Sequence, residues 1–466
     1  MTTPTQPASQ GPAPDSPDSP GVRADAAVAG VLHDLDTTAE RGIVVDSPPG
    51  AGKSTLVVRA AGHLADQNRP VMIVAQTNEQ VDDLVTRLAT DRPDLGIGRL
   101  HASGYAAPRR ILDLTNVTLS ADVTHLRHLP VVIATAAKWA FVKDIAWEWA
   151  IVDEAYQMRS DALLRTGKLF AHALFVGDPG QLDPFATIDT DRWAGLTWDP
   201  LRNAVDVALA HNPGMPLHQL PISWRLPASA APLVEQAFYP FYPFTPGTRT
   251  GERILTLSTA ALGTTAVDQV LDKAAATGWG YLELPHRHTL RTDGELAAAL
   301  ADTANRLLQR GATTHSSGEA AHLTASRIAI GAAHNDQVAA VREYLDRHGD
   351  HLADITVDTA NRLQGREFDV TLVWHPLSGR ADASAFHLET GRLCVLLSRH
   401  RHACVVVGRA GIRELLDRHP STSPLYLDVP PKFPDGWRAH QTVLEHLGRP
   451  EHSVSEELNR SRGYAN

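Results

Sequence analysis

From residue 42 onward, short apolar runs alternate with amphipathic stretches, the pattern of βα units around a mostly parallel sheet. In the first half the runs predict strands at residues 43–46, 71–75, 131–134, 150–153 and 173–176. A second series predicts strands at 280–284, 328–331, 355–358, 370–374 and 404–407, separated by helices such as 295–309 and 337–347 whose apolar positions recur at helical spacing. Two series of this kind predict an α/β chain with two sheets.

Between the series stands Asn212-Pro213-Gly214-Met215-Pro216, a cluster that cannot continue a helix and suits a linker. The expected organisation is a disordered arm at 1–22, a first domain at 23–212, a second at 213–428 and a fraying tail at 429–466. The arm is rich in Pro, Ser and Asp, lacks the basic start and apolar core of a secretory signal, and reads as unstructured. Residues 313–319 read as a polar loop, and residues 239–250 are rich in Pro and aromatic side chains.

The chain has 466 residues, 43% of them hydrophobic and 21% charged, enough for two ordinary cores. It has no apolar run long enough to cross a bilayer, and two cysteines, Cys394 and Cys404, suit a reducing cytoplasm rather than a disulfide framework. A soluble, cytoplasmic protein is expected. The formal net charge of −10 argues against a protein that coats nucleic acid over its whole surface, while leaving room for a local basic groove. Arg far exceeds Lys; planar phosphate contacts or genomic base composition would each produce that bias, and the second weighs more. The group Cys394, His400, His402 and Cys404 has no standard zinc spacing, so no metal other than Mg²⁺ is expected.

The chemistry starts after the first strand, with Ser47-Pro48-Pro49-Gly50-Ala51-Gly52-Lys53-Ser54-Thr55. A strand, a glycine-rich loop, then Lys-Ser opening a helix is the layout of a phosphate-binding loop. Glycines let backbone N–H groups curl around phosphate oxygens, Lys neutralises the β- and γ-phosphates, and Ser ligates Mg²⁺. The run Trp149-Ala150-Ile151-Val152-Asp153-Glu154 then ends a second strand in two carboxylates, one suited to the metal and the other to the attacking water. Further along come Gly177-Asp178-Pro179-Gly180-Gln181, Ser223-Trp224-Arg225, Gln364-Gly365-Arg366-Glu367 and Leu397-Ser398-Arg399. An Arg arriving from another domain can stabilise the charge spread over a transferring phosphoryl group, on the order of 10³ to 10⁵ in rate.

This ordered set, joined by Ala75-Gln76-Thr77-Asn78 and Ile133-Ala134-Thr135-Ala136, resembles the superfamily 1 helicases, in the branch that holds the nonsense-mediated-decay helicase and its DNA-acting relatives. The resemblance runs from Gly42 to Arg409. It implies two RecA-like P-loop domains with mostly parallel sheets and a nucleotide cleft between them, and ATP with Mg²⁺ as cofactors. Pro49, Gly50, Ala51, Gly52, Lys53, Ser54 and Thr55 would bind phosphate, with Ser54 and Asp153 on the metal and Glu154 as base. Gln181, Arg225 and Arg399 would contact the γ-phosphate, the two arginines coming from the second domain. Glu367 would lie near the ribose, and Trp224 would stack on the nucleobase or else pack in the core. Thr77, Asn78, Thr135 and Thr359 would contact nucleic acid, although Thr77 or Asn78 equally suits a helix cap. The cluster Phe238, Tyr239, Phe241, Tyr242 and Phe244 fits a satellite core better than a base-stacking surface.

Three features depart from the family pattern. No Gln occurs between Gln10 and Gln67, where these helicases read adenine; the span before the strand at 131 is short for the β-barrel that relatives insert; and Ser47 replaces the first glycine of the phosphate loop. The leading expectation is an ATP-driven helicase or translocase on single-stranded DNA or RNA, DNA ahead of RNA, away from membranes. A protein partner through the termini remains open. The alternative is a nucleotide-gated ATPase switch that controls a protein partner without moving along a strand.

Overall fold

A computed structural model describes residues 18–184, 191–193, 196, 199–258, 265–419 and 434–456. The first domain is an eight-stranded sheet: β1 (Gly42–Asp46), β2 (Val71–Ala75), β3 (Ile97–Leu100), β4 (Val117–Ser120), β5 (Val131–Thr135), β6 (Trp147–Asp153), β7 (Phe170–Gly177) and β8 (Leu217–Gln219). The strands run in the order β4-β3-β5-β2-β6-β7-β1-β8 and are parallel at every pairing.

Side-chain alternation divides this sheet between two cores. In β2, Val71, Ile73 and Ala75 join one apolar cluster while Met72 and Val74 join the cluster on the other face; in β1, Ile43 and Val45 oppose Val44 in the same way. A sheet buried on both faces needs helices on both, which the amphipathic stretches between strands supply.

A short parallel pair, β9 (Ile222–Ser223) with β10 (Thr245–Pro246), carries the chain into the second domain. There β11 (Arg253–Thr256), β13 (Thr313–Ser316) and β14 (Glu319–His322) form a small antiparallel sheet. The main sheet consists of β12 (Trp279–Leu284), β15 (Ile328–Ala332), β16 (Thr356–Thr359), β17 (Phe368–Trp374), β18 (His400–Arg409) and β19 (Ser453–Ser455), in the order β16-β15-β17-β18-β12-β19 and again parallel. Val405 and Val407 face one core, and Cys404 and Val406 the other.

Four expectations change. The arm does not reach residue 22: a helix spans Pro20–Thr37, capped by Ser19 and carrying Pro at its first position, and it buries Val28, Val31 and Leu35 against the first sheet. The rest of that arm, residues 1–17, lies outside the described residues. The first sheet continues past residue 212, because β8 pairs with β1 beyond the Pro-Gly cluster. The described part of the tail, residues 434–456, is built into the second domain, the rest lying outside the described residues: a helix at Gly436–Leu447 buries Ala439, Val443 and Leu447, and β19 extends the sheet beside β12. Residues 313–319 form a hairpin rather than a loop. Ser317 and Gly318, both at positive φ, make the tight turn that its two strands require.

Candidate active site

The register of the first sheet gathers the phosphate loop and the acids. Asp46 pairs with Gly177 and Asp153 with Val176, so the C-terminal ends of β1, β6 and β7 lie side by side, where parallel α/β sheets bind ligands. Ser47 N–H donates to the Gly177 carbonyl at 2.8 Å, anchoring the start of the loop. Gly50 and Gly52 both have positive φ, at 72° and 93°, and Gly52 caps the helix Lys53–Asp66 without any side chain. The amides of Lys53, Ser54 and Thr55 therefore open a 14-residue helix toward an anion. Pro49 and Ala51 are buried beneath the loop, Ser54 is half-buried and Thr55 exposed.

Lys53 Nζ lies 2.8 Å from Glu154 Oε1. Burial opposes the charge on Lys53, but Glu154, Asp178 and Asp153 outweigh it and raise its pKa. Asp153 is pushed up to about 7, first by burial and then by Glu154 beside it. Its Oδ1 is buried and has no hydrogen-bond partner among the described residues, an acceptor of the kind a divalent cation takes up. Glu154 stands in the left-handed region at φ 50°, ψ 47°, a conformation uncommon outside glycine, and its Oε2 accepts from Gln157 Nε2 at 3.1 Å. Loop, lysine, half-buried hydroxyl and orphaned carboxylate oxygen together fit a nucleotide triphosphate with Mg²⁺.

The second domain reaches this site through two segments. Ser223-Trp224-Arg225 clasps the loop: Ser223 Oγ donates to the Pro49 carbonyl at 2.6 Å and Trp224 N–H to the Gly50 carbonyl at 2.9 Å. A Cβ on Gly50 would lie 2.2 Å from the Arg225 Cβ, so glycine is required here by approach as well as by φ. Arg225 Nε is 3.2 Å from Glu367 Oε2, and Arg401 holds the other oxygen of Glu367 at 3.2 Å. Trp224 keeps 41% of its surface exposed, with its ring against the Gly247 backbone, so the core-packing alternative does not describe it.

The other segment is the N-terminal edge of the second sheet. Phe368 pairs with His400, and Phe368 N–H donates to the Arg399 carbonyl at 2.9 Å, which places Glu367 and Arg399 next to each other just before these neighbouring strands. Arg399 is 1% exposed; burial, then repulsion from Arg225, lowers its pKa to about 10. Its Nε has no hydrogen-bond partner among the described residues, and Nη2 donates to Ser398 Oγ at 2.8 Å. A guanidinium held dry with an unspent donor is poised for an anion.

The four candidates for nucleic-acid contact all sit at C-terminal strand ends: Thr77 and Asn78 after β2, Thr135 ending β5 and Thr359 ending β16. Thr77 caps the helix Asn78–Asp91 in a capping box with Gln80, and Thr135 caps the next helix by accepting from Lys138 N–H. Asn78 Oδ1 accepts from Arg99, a buried arginine also held by Asp82. Thr359 is largely buried. In the aromatic cluster Phe238, Tyr239 and Phe244 are buried while Phe241 is 67% exposed, so most of it is core.

Asp178 stands in one of the motifs quoted above, but the sequence assigned it no role. It is buried at the end of β7 and its Oδ1 accepts from the Gly180 amide at 3.0 Å and from Tyr239 Oη at 2.7 Å, while Gln181 Nε2 donates to Oδ2. Burial raises its pKa and Lys53 opposes the rise. Asp178 stands beside the family-matching Gln181 in the sequence, but its bond to Tyr239, 61 positions away, leaves no sequence signal. Asp46, hydrogen-bonded by Tyr156 Oη at 2.6 Å behind the loop, was likewise unmarked.

A family model described as an AAA domain matches residues 35–187, and a second AAA-domain model matches residues 288–411. No curated protein sequence matches the chain. Among solved structures, the PRRSV helicase is 15% identical with a TM-score of 0.40, covering 85% of this chain and 56% of its own. The Arterivirus nonstructural protein 10 (helicase) is 12% identical with a TM-score of 0.42, covering 82% of this chain and 61% of its own. The same helicase in complex with DNA gives 12%, 0.41, 84% and 65%. The chain thus spans less than two thirds of the length of each of these proteins. Among the described residues no helix is long and apolar enough to cross a membrane. The phosphate loop thus lies in one segment similar to an AAA-domain family model and Arg399 in a second such segment.

Proposed function

We propose that this protein is an ATP-dependent helicase or translocase that moves on single-stranded nucleic acid, DNA ahead of RNA, in the cytoplasm. The observation that carries the proposal is that Arg225 of the second domain packs against Gly50 of the phosphate loop, while the buried Arg399 lies close enough to Asp178 to feel its charge, Asp178 in turn acting on Lys53 of the first domain. A site divided in this way is completed only when the two domains close on a nucleotide, and that closure is what a motor needs to step.

In this reading the amides of Gly50 to Thr55 cradle the phosphates and Lys53 leaves Glu154 for the β- and γ-phosphate oxygens. Glu154, released from its ion pair, accepts the proton of the attacking water. Bound Mg²⁺, held by Ser54 and Asp153, would neutralise charge developing between the β- and γ-phosphates. Gln181 orients the water or senses the γ-phosphate, and Arg225 and Arg399 stabilise the equatorial oxygens. Trp224 offers its exposed face to the base, and Glu367 turns to the ribose. Thr77, Asn78, Thr135 and Thr359 supply hydroxyl, amide or backbone contacts to the strand.

The test is steady-state ATP hydrolysis with and without single-stranded DNA and RNA. Stimulation by a polymer supports the motor. Robust hydrolysis indifferent to both, with ATP-dependent capture of a protein partner that survives Glu154→Gln, would replace it with the nucleotide-gated switch.

A further inference from the structure

The Tyr239 hydroxyl touches both domains. Tyr239 closes the helix Ala231–Phe238, its N–H donating to the Glu235 carbonyl, and its ring packs in the second domain's core, edge-on to Phe244 at 5.4 Å between centroids. From there the hydroxyl donates to Asp178 Oδ1 at 2.7 Å, at the end of β7 in the first domain. The same oxygen lies 3.4 Å from Cys394 Sγ, on the helix Thr390–Leu397 that leads directly to Arg399.

The contact is tight on both sides. A Cβ on Gly180 would come within 2.5 Å of the Tyr239 ring, and a Cβ on Gly391 within 2.4 Å of the Gln181 carbonyl. Asp178, in turn, fixes Gln181: a carboxylate only accepts, so the carboxamide presents Nε2 to it and turns Oε1 the other way. Anything that shifts Tyr239 therefore shifts the acceptor that orients Gln181.

We infer that Tyr239 is a positioning residue for hydrolysis: through Asp178 its hydroxyl ties the orientation of Gln181 in the first domain to the placement of the Arg399 helix in the second. The inference rests on the proposed ATPase reading of the site. It makes Gln181 and Arg399 parts of one unit, so that the γ-phosphate is met by both or by neither. Asp178 is also close enough to Lys53 and Arg399 to favour the charged form of each, which places the relay between the phosphate-binding and charge-stabilising cations.

The test is Tyr239→Phe in the full chain, which keeps the ring against Gly180 and Phe244 and removes only the hydroxyl. The expected result is a kcat for stimulated ATP hydrolysis lower by roughly ten-fold, with the affinity for a fluorescent non-hydrolysable ATP analogue within about two-fold of wild type. In an Asp178→Asn background the same substitution is expected to change kcat little, because the relay is already broken. An unchanged kcat in Tyr239→Phe, or equal losses of kcat in both backgrounds, or a loss of affinity that matches the loss of rate, would each overturn the inference and leave Tyr239 a core residue. Wild type that hydrolyses no ATP would instead bring down the ATPase reading itself.

Discussion

Lys53 Nζ lies 2.8 Å from Glu154 Oε1, so the loop lysine and the candidate base neutralise each other while no phosphate is present. The pair joins the helix after β1 to the end of β6, and both side chains are largely buried, at 14% and 9% exposed. Replacing one partner strands the other charge, and breaking a buried pair in this way typically costs about 3–5 kcal/mol. Lys53→Ala is therefore expected to lower the melting temperature of the free protein as well as abolish turnover. Thermal unfolding of the variant checks it: an unchanged Tm would mean that the ion pair does not hold the free site together.

Glu154→Gln keeps the shape and loses the charge. The expected outcome is hydrolysis reduced by roughly 10² to 10⁴, the usual worth of a general base, with nucleotide still bound. A rapid-quench assay alongside equilibrium binding separates the two, and normal turnover in the variant would remove Glu154 from the mechanism.

Arg399 makes the opposite combination of demands. It is buried beside another arginine, so Arg399→Met is expected to leave stability unchanged or improved while kcat falls by roughly 10³ or more. Nucleotide affinity should change little. If the variant unfolds instead, Arg399 is a structural cation rather than a catalytic one.

Asp46 predicts a pH dependence. Burial pushes its pKa up to about 6, against the hydrogen bond from Tyr156. An unfolded Asp gives up its proton near 4, roughly. Between these values the native state holds more protons than the unfolded one, so stability falls as pH rises from about 4 to about 6 and is level above. Asp46→Asn removes that decline and should be more stable than wild type at pH 7.5 by about 1–3 kcal/mol, with the advantage vanishing near pH 4. Denaturant titrations at the two pH values measure this; a less stable variant at pH 7.5 would show that Tyr156 needs an anion.

Gly50→Ala should fail for a steric reason. The added Cβ would meet the Arg225 Cβ at 2.2 Å on a residue whose φ is 72°, so either the loop or Arg225 must move. A loss of about 1–3 kcal/mol and of ATP turnover is expected. The matching change at Gly52, where the nearest atom would be 4.0 Å away, carries the strain of φ 93° without the collision. Equal losses at both positions, read by hydrolysis and Tm, would argue against the Arg225 contact.

Much of this was legible in the sequence because buried parallel strands are short apolar runs. The runs at 71–75 and 370–374 fall within β2 and β17. Where pairing rather than hydrophobicity defines a strand, the sequence was silent: β8 is Leu-His-Gln at the sheet edge, and β14 is exposed throughout. The helix Pro20–Thr37 was partly hidden because its Ser-Pro start continues the composition of the arm before it. At the site, Lys53, Asp153, Glu154, Arg225 and Arg399 stand in motifs, whereas the Tyr239–Asp178 bond depends on how two domains dock and has no local pattern.

The central claim is that closure of two domains on ATP drives movement along a strand. Its most direct test is steady-state ATP hydrolysis by wild type and Glu154→Gln, each with and without single-stranded DNA and RNA. The account predicts stimulation of the wild type by at least one polymer and its loss in the variant. Hydrolysis that no polymer stimulates, or stimulation that persists in Glu154→Gln, would contradict it.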